Sequence, residues 1–410
     1  MKKFNFNSIL FVFAIAFLIA GIWGNCFARL KWGIIDMLGG FRHLNVAAIM
    51  DAKNTIDRVS IEELSYHDLM MEVDSFRNNL LGTRVVRKDD TTVVKAYSDS
   101  LCEPVSLLSD ADIEEVVMRI QELKTVAEEN GAKFLYCAAP KKEAYEQLPS
   151  NVENYSRKNF DRLIESLSTS EIPAIDISVI FNKNKLTTGK DIFYYTDHHW
   201  RVYSGFLAST AICKELSSMY GFIYNEQYIN IQNYTVDLYP KWFLGAKGKK
   251  VGQYFSWHGI DDFELITPNF ETNMTEEKPF KEEKREGTFI ETVLFMDNME
   301  KDYYHKSPYS TYSGGDFRLQ IMRNNLDTDG KKILLIRDSF ACVVAPFLSL
   351  QTSELHICDM RDYQWYVGDK LNMEEYIREI NPDYVLVLYN GINSVKDAHG
   401  KYDFFLKTDN

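Results

Sequence analysis

An apolar stretch from Ile9 to Trp23 opens the chain, with Lys2 and Lys3 ahead of it and Arg29 and Lys31 behind. Lysines before an apolar run form the positive region of an export signal or anchor. The run reaches about 20 residues, a membrane-spanning length, when 24–28 are counted with it. Cys26-Phe27-Ala28 is a poor small-residue cleavage site, and Trp23-Gly24-Asn25-Cys26 is a poor lipobox. The pattern predicts an uncleaved anchor in residues 1–30. The protein is then expected at the cell membrane, single-pass, with the remainder outside the cytoplasm, or secreted if the segment is cleaved.

Residues 31–100 read as a juxtamembrane stalk and a hairpin. Apolar positions in 44–80 recur at helical spacing, and the Val- and Thr-rich segment 83–100 turns at Asp89-Asp90. From Ser109 onward strands and helices alternate. Ile113, Val116, Val117, Ile120, Leu123 and Ala127 share one helical face, with Ser109 or Asp110 as its cap and Gly131 at its end. Phe134–Cys137, Ala174–Ile177, Ile333–Ile336, Leu355–Cys358 and Tyr384–Tyr389 read as strands. Helices are expected around 160–167, 203–219 and 373–380, and from Phe340. This alternation predicts a doubly wound parallel α/β sheet over 101–410. An aromatic-rich, strand-like insertion interrupts it at about 220–330, with Glu276 to Glu286 as a solvated charged loop. Ligands of such sheets bind at the C-terminal strand ends.

The formal net charge of −13 argues against nucleic acid as a partner, because phosphates demand a basic face. Six cysteines at scattered spacings, without a CxxC pair, suit neither a metal cluster nor a disulfide framework. Cys137 and Cys358 read as core residues. The basic loop Gly245 to Gly252 lacks the strand–GxxxxGK[ST]–helix context of a phosphate loop. No cofactor is expected.

Two polar clusters can carry chemistry. Ser339 follows a buried strand and opens a helix, which exposes its hydroxyl above the sheet and aims its amide at a developing oxyanion. A serine capping that helix fits the same pattern. Asp197-His198-His199-Trp200 supplies what a serine nucleophile lacks: a base, and a carboxylate to orient it. In an extended segment Asp197 and His199 project to one side. His199 Nδ1 can then donate to Asp197 while Nε2 faces Ser339. Adjacent histidines also suggest a metal site, but a third ligand at recognisable spacing and an HExxH motif are missing. Arg361, in Asp359-Met360-Arg361, can bind an acyl or sugar oxygen or form a surface salt bridge. Tyr312-Ser313-Gly314-Gly315-Asp316 is a turn or a glycine loop that admits close backbone approach.

Tyr195-Thr196-Asp197-His198-His199-Trp200 with a distant Ser339 resembles the DHHW protein family. That family is similar to the SGNH-hydrolase-like domains of alginate O-acetyltransferases, whose signature is Asp-x-His-Trp ahead of a strand-turn serine. The resemblance covers roughly 83–405. It implies an SGNH-hydrolase-like fold, with Asp197 orienting, His199 as base and Ser339 as nucleophile. His198 and Trp200 come with the motif as substrate-binding candidates. Arg337 stands where many SGNH enzymes have the glycine of Gly-Asp-Ser. Asn390-Gly391-Ile392-Asn393 resembles the Gly-x-Asn block, so Asn390 or Asn393 is an oxyanion donor candidate; an Asn-Gly turn fits too. The implied activity is extracytoplasmic O-acyl transfer, most simply O-acetyl, to a cell-surface or secreted polysaccharide, with a multi-pass membrane O-acyltransferase relaying the acyl group. A carbohydrate esterase, or a non-catalytic glycan-binding assembly factor, is compatible with the same residues.

Overall fold

The computed structural model describes residues 67–88 and 91–405. The apolar run at 9–28, Cys26 and the stalk before residue 67 lie outside them. Among the described residues no helix is long and apolar enough to cross a membrane. Helix α1 (His67–Leu80) belongs to an N-terminal unit separate from the body that begins at Gly82.

The body opens with the predicted hairpin, β1 (Val85–Lys88) and β2 (Thr91–Lys95), with β3 (Leu101–Cys102) beside it. Its main layer is an eight-stranded sheet of order β5-β4-β13-β11-β12-β10-β8-β9. Strands β5 (Ala174–Asp176), β4 (Lys133–Ala139), β13 (Tyr384–Asn390), β11 (Lys332–Arg337) and β12 (Glu354–Asp359) run parallel. The other three, β10 (Leu319–Asn324), β8 (Met274–Lys278) and β9 (Glu283–Gly287), are antiparallel to their neighbours. The sheet is therefore mixed, which corrects the all-parallel expectation. Part of the predicted insertion has become its edge.

The charged run 276–286 is likewise not a loop. Glu276 and Lys278 are buried within β8, their ionic groups 3.4 Å apart, while Gln320 donates to Glu276 at 2.7 Å. Charges facing inward on a strand beside an exposed, charged edge strand discourage pairing with other chains.

Alternation along the parallel strands fills both faces. Phe134, Tyr136, Leu334, Ile336, Val385 and Val387 pack under α2 (Asp110–Glu129), α3 (Ser156–Thr169) and α10 (Met373–Ile380). Leu135, Cys137, Ile333, Leu335, Leu386 and Leu388 pack on the opposite face, with α6 (Val202–Tyr220) and α9 (Ala345–Ser349). The six residues expected on one face of α2 are its buried ones. Ser109 caps it in a capping box with Asp112. The aromatics of 220–330, such as Phe243, Phe263, Phe289 and Tyr312, join the second of these cores. Gly205 lets α6 approach the serine segment, since a Cβ there would lie 2.6 Å from the Val343 carbonyl oxygen.

Candidate active site

Ser339, Pro140-Lys141, Arg361 and Asn390 follow or end strands at the C-terminal edge of the parallel region, and the Asp197–His199 loop, which follows two short helices after β5, reaches the same edge. Strand β11 ends at Arg337, Asp338 caps a 3₁₀ turn spanning Ser339–Val343, and Ser339 is the first residue of that turn. The buried Asp338 carboxylate fixes the geometry. It accepts from the Phe340 amide, from the Asn390 amide at 2.8 Å and from Lys401 Nζ at 2.9 Å. Burial pushes this carboxyl up, but Lys401, Arg361 and the Asn390 amide outweigh that and hold it below its ordinary range. The Ser339 amide donates to no group among the described residues.

Residues 193–200 are not the extended segment expected. They form a tight loop closed by the Phe193–Trp200 bridge and a Tyr194 N–H to His199 carbonyl bond. The Asp197 carboxylate bends the loop by accepting from the His199 amide at 2.8 Å. The same oxygen accepts from His199 Nδ1 at 2.6 Å, and His199 Nε2 lies 2.7 Å from Ser339 Oγ. The other Asp197 oxygen accepts from the Ala246 amide at 2.6 Å. Burial would raise the Asp197 carboxyl, but the two imidazoles and these hydrogen bonds hold it well below the usual carboxylate range. Asp197, His198 and His199 offer atoms within 4.8 Å of one another that could hold a metal. His199 Nε2 points instead to Ser339, and both Asp197 oxygens already accept hydrogen bonds.

A loop without a ladder needs other partners for its backbone groups. Lys142, almost fully buried, donates to the carbonyls of Tyr194, Tyr195 and Asp197 at 3.0, 3.0 and 2.7 Å. Asp261 accepts from the Tyr195 and Thr196 amides and the Thr196 hydroxyl. Gly245 lies so close that a Cβ on it would sit 2.3 Å from Asp197 Cβ. Tyr309 stacks on the His199 ring, centroids 4.1 Å apart, and donates to the Ser339 carbonyl at 3.2 Å. Sequence reading missed Lys142, Asp261, Gly245, Ala246 and Tyr309 as parts of the site. The basic Gly245–Gly252 segment was the one signal, and its role is to supply the Ala246 amide from the start of α7 (Ala246–Val251).

The other candidates are held by partners of their own. Trp200 is fully buried, and its indole donates to the Phe340 carbonyl at 2.9 Å, so it braces the serine turn and does not face substrate. Asn390 donates one side-chain N–H to the Pro140 carbonyl at 2.9 Å, which leaves its second N–H on the border of the Ser339 cavity. Arg361 is gripped by Asp359 and, at 2.9 Å, by Asp316 from the glycine loop; Arg337, fully buried, also pairs with Asp316. Arg361 is therefore a buried network member, not a surface salt bridge. Arg337, standing in place of the SGNH glycine, ties the serine strand to that loop. His198 packs on His199, centroids 3.8 Å apart, with its side chain partly exposed on the cavity wall.

Ser339 opens onto two cavities. One, of about 350 Å³, is bordered by Lys141, His198, Arg361, Tyr363 and Asn393. The other, of about 250 Å³, is bordered by His199, Phe243, Lys249, Tyr309 and Cys342.

Residues 97–233 match the model of the family described as SGNH hydrolase-like domain, acetyltransferase AlgX; the match contains Asp197 and His199 and ends before Ser339. A comparison with curated proteins found no match. Among solved structures, Bacillus cereus PatB1 with a sulfonyl adduct is similar at TM-score 0.61 and 19% identity, covering 79% of this chain and 99% of that one. A DHHW family protein from Eubacterium siraeum is similar at TM-score 0.57 and 18% identity, covering 79% and 98%. The resemblance carried by Asp197-His198-His199-Trp200 thus recurs in a family model and in solved folds, and the chain has an SGNH-hydrolase-like mixed α/β fold with an acetyltransferase-type domain match over 97–233.

Proposed function

We propose that the protein is an extracytoplasmic, membrane-anchored O-acetyltransferase that modifies a cell-surface or secreted polysaccharide through an acetyl-Ser339 intermediate. The observation that carries this is the unbroken chain of hydrogen bonds from Asp197 through His199 to Ser339, at 2.6 and 2.7 Å. The acetyltransferase domain match supports the choice of acyl group.

Ser339 Oγ adds to the acetyl carbonyl carbon of an ester or thioester donor, and its proton passes to His199 Nε2. The carbonyl–donor bond breaks, and the departing group takes that proton. A sugar hydroxyl then gives its proton to His199 and adds to the acetyl carbon. The serine ester bond breaks and Ser339 Oγ recovers the proton. Asp197, ionised throughout, stabilises the imidazolium and fixes its tautomer. The free Ser339 amide stabilises the oxyanion, and Asn393, on the cavity wall, is the candidate second donor. A multi-pass membrane O-acyltransferase would present the acetyl group on the outer side.

An activated acetyl ester, mixed with the protein and read by mass spectrometry, tests the intermediate. The expected result is an acetyl adduct on Ser339 that is absent from Ser339→Ala. A folded protein that turns over the ester no faster than Ser339→Ala would eliminate the nucleophile and leave a glycan-binding role. An adduct that passes only to water, never to a polysaccharide, would make it an esterase.

A further inference from the structure

The segment after β12 is tied down at many points, yet it displays an indole to solvent. Tyr366 Oη donates to Asp359 at 2.7 Å, and the Asp362 amide donates to the His399 carbonyl at 2.7 Å. Lys370 bonds both Asp362 and the Gly400 carbonyl at 3.0 Å. Gly368, at φ +91°, presses on Phe280 so closely that a Cβ would lie 2.2 Å from the ring. On this fixed segment three planar groups form a column. The Arg361 guanidinium lies 4.9 Å from the Tyr363 ring centre, and Tyr363 stacks on Trp365 at 4.3 Å with an 11° tilt. The bottom of the column is locked by Asp359 and Asp316, and the top, Trp365, is 67% exposed.

Tyr363 borders the 350 Å³ cavity that contains Ser339. Trp365 borders a neighbouring cleft of about 90 Å³, where Lys281 and Asp316 supply polar groups among Phe280, Phe317 and Tyr366. The column therefore spans from the nucleophile's cavity to the outside. A rigid aromatic face costs little ordering entropy on binding, and its negative face suits the weakly positive C–H face of a pyranose ring. Flanking donors and acceptors suit the hydroxyls around the ring edge.

We infer that Trp365, backed by the stacked Tyr363, forms a carbohydrate subsite whose exposed indole face stacks a sugar of the acceptor chain beside the unit to be acetylated. This rests on the polysaccharide reading above and names the residues that would hold the chain.

The test separates binding from catalysis by using full-length Ser339→Ala. It is titrated calorimetrically with an N-acetylglucosamine pentamer and with a mannuronate pentamer. At least one is expected to bind. Trp365→Ala added to this background should weaken that binding about tenfold, the scale of one aromatic contact. Trp365→Phe should recover most of it. Trp257→Ala, which removes an equally exposed indole bordering none of these cavities, should bind like its parent. Binding of neither oligosaccharide, or equal binding with and without the Trp365 indole, overturns the subsite. Should Trp365→Ala fail to fold, equal affinities of Trp365→Phe and Trp365→Leu overturn it as well. Failure of acetyl transfer itself would appear separately, as a missing Ser339 adduct.

Discussion

Ser339 has an ordinary hydroxyl; what distinguishes it is an imidazole 2.7 Å away whose far nitrogen is held by a carboxylate. Ser339→Ala and His199→Ala are expected to lower the rate of ester turnover by on the order of 10⁶, and Asp197→Asn by on the order of 10⁴, without additivity, as for residues that act as a unit. Steady-state kinetics on single and double variants check this. Asp197 also links pH to stability. Its folded pKa is depressed, so the stability it contributes is fully present above the unfolded value, about 3.9, and is lost as pH falls toward the folded one. Urea denaturation across the acid range should therefore show a limb that flattens in Asp197→Asn. An unchanged limb would mean that the carboxylate is not the group titrating. These three residues were legible in the sequence because a short motif carries two of them and a strand-to-helix turn the third. Residue type shows what a group can bind, not what has already bound it: Trp200 braces the serine turn from within the core, while Arg361 and Asn390 are held by Asp359, Asp316 and Pro140 and still line the cavity at Ser339.

At the scale of elements, the 193–200 loop shows why the right pairing was reached through the wrong geometry. Period-two alternation put Asp197 and His199 on one side of a strand. The structure brings them together through a carboxylate-capped bend, with Lys142 holding the loop's carbonyls and Asp261 its amides. Neither clamp was legible, since both are distant in sequence and only the fold makes them neighbours. Lys142→Met is expected to destabilise the protein by about 3 kcal/mol, because it leaves three buried carbonyls without a shared donor. It should also lower turnover by loosening the His199 loop. Gly245→Ala should act in the same direction by pushing Asp197 off its bond to Ala246. Thermal unfolding together with kinetics tests both, and wild-type values in either variant would show that the loop holds its shape unaided.

On the scale of the whole molecule, the parallel half of the sheet was readable because its strands are apolar on both faces and alternate with helices. The antiparallel edge was not. Its charged strands pair side by side, so Glu276 and Lys278 are buried by mutual attraction and by Phe295 and Phe317, whose rings lie 3.8 and 4.3 Å from the Lys278 ammonium. Hydropathy alone registers such a strand as solvated. Both large core clusters, the clamps and the candidate triad lie within the body that begins at Gly82. The apolar run at 9–28 is proposed to act only as a tether. A fragment of residues 82–410 should therefore fold cooperatively, without detergent, and form the Ser339 adduct at the full-length rate. The full-length chain should sediment with membranes and expose its body to protease added outside the cell. Circular dichroism, adduct kinetics on the fragment and fractionation of the intact chain test this division of labour. A fragment that remains unfolded would show that residues before 82 complete the body. A full-length chain recovered from the cytoplasm would remove both the tether and the extracytoplasmic setting, while leaving the chemistry at Ser339 to be judged by its adduct.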